Sequence, residues 1–290
     1  MPSLQTLRRK IASVKNTQKV TKAMKMVASS KLRRAQQRIL AFRPYGQRMR
    51  RVLADLSRRV NRGSHPVLQK RPVKIIQVSV VTSDRGLCGA FNSNIIHKAV
   101  EVIGECEARG AKVRVGLVGR KGRQYFGRRH WPIREQYIDV FHRLTYEHAM
   151  DIGQSGTDAF VDGVFDELYV VYNEFKSAMQ QRVIVEKLLP IESFDEAGQP
   201  QESVGGGYLY EPSEDELLTA LLPKHFQAQV YRILLESLAA EQAARMAAMD
   251  RATRKAGELI EKLTLQYNNT RQAAITKELM DIVGGAEALR

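Results

Sequence analysis

The stretch "SDRGLCGAFN" (Ser83–Asn92) follows a strand-like run and precedes a helical pattern, where a phosphate-binding turn would sit. Such a turn needs glycines that let backbone N–H groups converge on phosphate, and Gly86 and Gly89 lack the GxGxxG spacing. The reading favoured is a tight strand-to-helix turn with a core role. Cys88 lies in this loop with no base nearby in sequence, so it is read as a buried structural thiol. The six histidines (His65, His97, His130, His142, His148 and His225) have no paired spacing, and no Cys/His set has zinc spacing. GxxxxGK[ST], HExxH and GxSxG do not occur. Trp131 reads as packing. No catalytic, cofactor-binding or metal-binding residues are expected.

The other concentration of chemistry is charge. Of 46 Lys and Arg, 17 fall in residues 1–60 beside one acid, Asp55; the remaining 230 residues carry 29 basic and 30 acidic side chains. The whole excess of +15 therefore belongs to the first segment. A localised field implies an acidic partner surface: phosphates, anionic lipid or a carboxylate-rich protein. A solvated charged face is the plainest alternative. Nucleic-acid binding needs only dense cations, but this segment offers only Phe42 and Tyr45 for stacking, and no recognised nucleic-acid module follows. A membrane-surface helix would carry a wide bulky apolar face, whereas the stripe here is narrow.

The elements that must display these cations follow from periodicity. Steps of three and four from Leu4 pass through Leu7, Ile11, Val14, Gln18, Thr21, Lys25, Ala28, Leu32, Ala35, Ile39, Phe42, Gly46, Met49, Leu53, Leu56 and Val60. That heptad seam predicts one helix of about 60 residues. Pro44 should bend it or mark an irregularity. At the polar positions 18, 21 and 25, Val20, Met24 and Val27 form a neighbouring stripe, so the seam is expected to rotate there or to stutter. The N-terminus is Arg-rich and acid-poor like a transit peptide, yet its helical pattern runs on to about residue 60 and is read as mature structure.

A second long helix is expected from Ser213, where Ser213 and Glu216 form a capping box, to Ile282, with Gly284 and Gly285 as the stop. The alanines of Leu238–Asp250 suit close helix approach, and Glu258 with Lys262 makes a favourable i,i+4 pair. Two seams at the two ends of the chain predict an antiparallel coiled coil. Between them, Val73–Ser83, Ala111–Gly119, Asp166–Phe175 and Gln180–Pro190 read as strands, and about 94–108 as a helix. The fold class expected is α/β: a coiled coil of residues 1–60 with 208–290, and an inserted Rossmann-like domain over 73–195. Residues 197–207 read as a linker. No apolar run reaches the ~18 to 20 residues that span a bilayer.

Four blocks, "SVKNTQKVTKAMKMVASSKLRRAQ" (13–36), "SDRGLCGAFNSNI" (83–95), "YLYEPS" (208–213) and "YNNTRQAAITKELMDIVGGAEAL" (267–289), closely resemble the gamma subunit of the bacterial F-type ATP synthase. That family is a central rotor shaft. The resemblance implies a noncatalytic subunit without cofactor, which couples transmembrane proton or sodium flow to ATP synthesis or hydrolysis at the beta subunits. The implied partners are alpha and beta subunits, the epsilon subunit and the membrane rotor ring of c subunits, with no nucleic acid. The implied place is peripheral, on the cytoplasmic side of the bacterial plasma (inner) membrane. Carried over by position, Met24, Lys25, Gln242 and Arg245 face an acidic beta-subunit loop, Gln272, Thr276, Glu278 and Asp281 meet the catalytic ring, and Tyr208 and Glu211 meet the rotor ring and epsilon. Lys25 departs from the acid that many relatives carry between the methionines of "KAMxM". A positive charge there is expected to tighten the beta contact or to be matched by a change in beta. The alternative class is a basic coiled-coil nucleic-acid-binding protein.

Overall fold

The computed structural model describes residues 3–59, 65–177, 181–191, 210–211 and 213–287. Helix α1 spans Leu4–Arg59 and helix α5 spans Glu214–Glu287. Between them come β1 (Ile75–Val81), α2 (Phe91–Ala108), β2 (Lys112–Val118), α3 (Arg120–Phe126), β3 (Ile133–Tyr137), α4 (Tyr146–Val161), β4 (Glu167–Phe175) and β5 (Gln181–Leu189). The chain divides into two compact units, residues 1–29 with 245–290 and residues 30–244, so each long helix contributes to both.

In the larger unit one sheet runs β3-β2-β1-β4-β5, parallel except for β5, which pairs antiparallel with β4. Strand β1 is central, and its side chains alternate as a strand's must. Ile76, Val78 and Val80 pack with Ile95, Ala99 and Ile103 of α2. Gln77 and Ser79 belong to the opposite face, where Gln77 bonds Glu135 at 2.9 Å and accepts from Arg134 at 2.6 Å. On that face Phe160, Phe165, Leu168 and Val170 share a core with Leu53 and Leu56 of α1 and with Leu218, Leu222 and Phe226 of α5.

The turn after β1 is as compact as its sequence implies. Asp84 Oδ1 accepts the backbone N–H groups of Arg120 and Asp139, joining the loops after β1, β2 and β3. Cys88 is buried and accepts from Asn92. Gly119, at φ +95°, is required because a Cβ there would lie 2.1 Å from the Thr82 carbonyl oxygen. His148 acts as a cap: its Nδ1 accepts from the Thr145 N–H at the start of α4.

Helix α1 runs on through Pro44 and α5 through Pro223, and three expectations about the helices change. Ahead of Pro44, Phe42 packs edge-on to Tyr231 at 5.0 Å, and Arg38 donates to the Leu144 carbonyl and the Tyr231 hydroxyl, anchoring the stretch that leads into the turn lacking an N–H. The seam does not rotate at residues 18–25: Thr21 is buried, Gln18 and Lys25 are half-buried, and Val20 and Val27 are exposed. Glycines 284 and 285 do not stop α5, which runs to Glu287. Glu258 is paired with Lys255 at 2.7 Å instead of with Lys262. The Ser213 cap stands, its Oγ accepting from Glu216 N.

Candidate functional site

A helix cannot bury polar seam residues without partners, because each desolvated group must recover a hydrogen bond. In the unit of residues 1–29 and 245–290, that requirement is met across the pair. Gln18 Nε2 donates to the Thr253 carbonyl at 3.5 Å, Thr253 Oγ1 donates to Thr21 Oγ1 at 2.8 Å, and Lys25 Nζ donates to Asp250 at 2.6 Å. Rising numbers on α1 thus meet falling numbers on α5, and the pair is antiparallel. The hydrogen bond from Lys25, followed by the charges of Lys25 and Arg254, holds the Asp250 carboxyl below the usual range. The charge of Lys25 is therefore matched inside the chain.

The cations turn outward because the seam takes the opposite stripe. Arg8, Arg9, Lys10, Lys15, Lys19 and Lys22 are all exposed, and none has an ion-pair partner among the described residues. Val20, Met26 and Val27 stand among them at 57%, 60% and 56% exposure. Met24 and Lys25 are half-buried.

Helix α5 outruns its partner. Carrying the Gln18–Thr253 pairing back to Leu4 at equal rise brings α1 to its start near about residue 267. Residues 275–283 are all exposed. Gln272, Thr276, Glu278 and Asp281 lie on this open length, together with Ile275, Leu279, Met280, Ile282 and Val283. Arg271 and Lys277 balance Glu278 and Asp281, so the tip is neutral and apolar where the N-terminal sleeve is basic.

The other expected site residues are placed differently. Gln242, in the larger unit, and Arg245, in the smaller, are 5% and 9% exposed and covered by this chain's own packing. Glu211 is exposed. Tyr208 lies outside the described residues. Its neighbour Tyr210, not singled out from sequence, donates to Asp55 at 2.6 Å beneath the Arg59 guanidinium, which also pairs with Glu214. The partners Asp250 and Thr253 also escaped sequence reading, since nothing in a single sequence sets the register of segments more than 220 positions apart.

Among the described residues there is no group of His, Cys, Asp or Glu fit to hold a metal, and no helix is long and apolar enough to cross a membrane. What the fold defines is an α/β protein with a doubly wound sheet and two long terminal helices that pair antiparallel in the smaller unit. A family model described as ATP synthase matches residues 3–289. Curated proteins called ATP synthase gamma chain match over 100% of this chain and of their own, with 46% identity in a species of Anaeromyxobacter and 47% in Chlorobaculum parvum. Among solved structures, a chain of the Euglena gracilis mitochondrial ATP synthase OSCP/F1/c-ring aligns with TM-score 0.68 and 21% identity, covering 99% of this chain and 94% of that one. The Tetrahymena thermophila central stalk/c-ring gives 0.60 and 24%, covering 80% and 99%. At those identities the structures speak to fold. The full-length sequence matches settle the family: the chain belongs to the ATP synthase gamma chain family.

Proposed function

We propose that this chain is the central rotor shaft of an F-type ATP synthase, a noncatalytic subunit that couples proton or sodium flow to ATP synthesis or hydrolysis on the beta subunits by rotation. The observation that carries this reading is family membership along the whole chain, residues 3–289. The geometry fits it. A shaft must be stiff internally and slippery externally: the seam supplies stiffness through burial worth roughly 25 cal/mol per Å². Exposed charge contacts, worth about 0 to 1 kcal/mol each, supply an exterior whose contacts exchange readily. Torque follows from differential contact, since a ring site is shifted only by a ligand or neighbour that interacts unequally with its states.

In this reading the N-terminal sleeve faces acidic loops of beta, and Met24, Lys25, Gln242 and Arg245 belong to that contact. Gln272, Thr276, Glu278 and Asp281 meet the upper catalytic ring. The apolar end of α5 is a bearing that favours no one of three orientations through a polar bond. Tyr208 and Glu211 contact the rotor ring and epsilon at the foot built from residues 73–195. The chain sits peripherally on the cytoplasmic side of the bacterial inner membrane, and nucleic acid is not a partner.

The test is ATPase activity of co-expressed alpha and beta with and without this chain, with a pull-down at moderate salt. Activity and a stable complex that appear only with the chain present are the expected result. A chain that neither joins alpha and beta nor changes their turnover, yet retains nucleic acid with a steep salt slope, would overturn it.

A further inference from the structure

Gly46 occupies a seam position of α1, and an added Cβ there would meet nothing within 4 Å. The missing side chain leaves a layer of the seam unfilled. Within the 30–244 unit this opens a cavity of about 470 Å³ between α1 and α5, closed on one side by Glu186 of β5. That size lies within the ~300–1,000 Å³ of small-molecule sites.

Its lining is of two kinds. Ile39, Phe42 and Leu235 give an apolar wall, while Arg43 and Arg50 bring guanidinium groups from α1. The deeper guanidinium is already paired. Arg232 grips Glu186 through bonds of 2.6 and 2.8 Å and reaches Tyr172 and Glu236. Burial alone would lower the Arg232 pKa, but Glu186 and Glu236 hold it up, so the guanidinium stays charged, while burial raises the Glu236 carboxyl. His225 is neutral at neutral pH, pushed down to about 4 by burial and by Arg50 and Arg232. Arg43 is exposed at the cavity with no ion-pair partner among the described residues. An apolar wall beside the unpaired Arg43 guanidinium fits one chemical class.

We propose that this cavity binds a small amphipathic organic anion, with its ring or alkyl body on Ile39, Phe42 and Leu235 and its acidic group at Arg43 and Arg50. Bound there, the anion fills the layer that Gly46 leaves empty and ties α1 to α5, stabilising the folded chain by mass action. The inference stands on the cavity and does not depend on the rotor reading.

The experiment is a fluorescence titration of the full chain with 1-anilinonaphthalene-8-sulfonate, an aromatic sulfonate of this class. One saturable site per chain is expected, lost or weakened at least tenfold in Gly46→Leu and several-fold in Arg43→Glu. Adsorption to the basic N-terminal sleeve is the competing outcome, and it would be indifferent to Gly46→Leu. Fluorescence enhancement unchanged in Gly46→Leu overturns the proposal. Should that variant fail to fold, the exposed Arg43→Glu variant decides: unchanged affinity there also overturns it.

Discussion

At the scale of single residues, the seam pair Lys25–Asp250 shows how a local oddity is resolved by a distant partner. Lys25 reads in sequence as an unmatched positive charge beside a contact surface; in the fold, Asp250 takes it at 2.6 Å. Lys25→Glu places two carboxylates together and should lower the melting temperature, as should Asp250→Lys. The double variant Lys25→Glu with Asp250→Lys should recover most of the loss, and melting no higher than the two single effects added together would show that the pair does not couple. His225 yields a pH prediction. Its folded pKa, about 4, lies below the ordinary 6.5, so between these values the unfolded chain binds more protons. Stability from keeping it neutral is complete above about pH 6.5 and drains away as pH falls toward 4. The ceiling is about 3 kcal/mol from the size of the shift. Denaturant midpoints at pH 7 and pH 4.5 should converge more in His225→Gln than in the parent; equal slopes would remove His225 as a cause.

Elements were legible where one period dominates and obscure where burial is polar or glycine-lined. The α1 seam runs at heptad spacing, and Leu7, Ala28, Leu32, Ala35, Met49, Leu53 and Leu56 are all buried on it. Strand β3, "IREQY", has too few apolar residues to announce itself, because half-buried Arg134 and Glu135 are held in a network with Gln77 and Ser155. Helix α4 contains Gly153 and Gly156, which argue against a helix when read locally. Packing explains them: a Cβ at Gly153 would lie 2.8 Å from Gln227 Cγ and 3.2 Å from its Cα. In an exposed helix Gly→Ala gains about 1 kcal/mol. Here Gly153→Ala should instead cost about 1 to 3 kcal/mol by overpacking, read from denaturant melts. A net gain would mean that α4 does not press on α5 as described. The site was legible in part for the same reason: outward cations and the C-terminal stretch show in sequence, but the burial of Gln242 and Arg245 depends on a helix register that sequence leaves open.

Over the whole molecule, charge and apolar exposure are separated along the helices: a basic sleeve on the first turns of α1 and a neutral, apolar end on α5. Exposed large hydrophobic side chains cost nothing to remove from the fold if they bury nothing in it, yet they carry most of the energy when a partner covers them. From Ile275 to Val283 every residue is exposed, including five large apolar side chains. Deleting residues 275–290 should therefore leave the melting temperature of the free chain unchanged, while weakening its retention in a ring of alpha and beta subunits and lowering the turnover it supports. The two readouts separate two errors. A lower melting temperature would place the tip inside the folding unit, against its exposure, whereas an intact melt with undiminished ring turnover would leave the fold in place and remove the bearing role from α5. Raising salt sharpens the comparison, because screening weakens the contacts of the basic sleeve and leaves the apolar ones at the tip. In high salt the truncated chain should dissociate from the ring well before the full-length chain does.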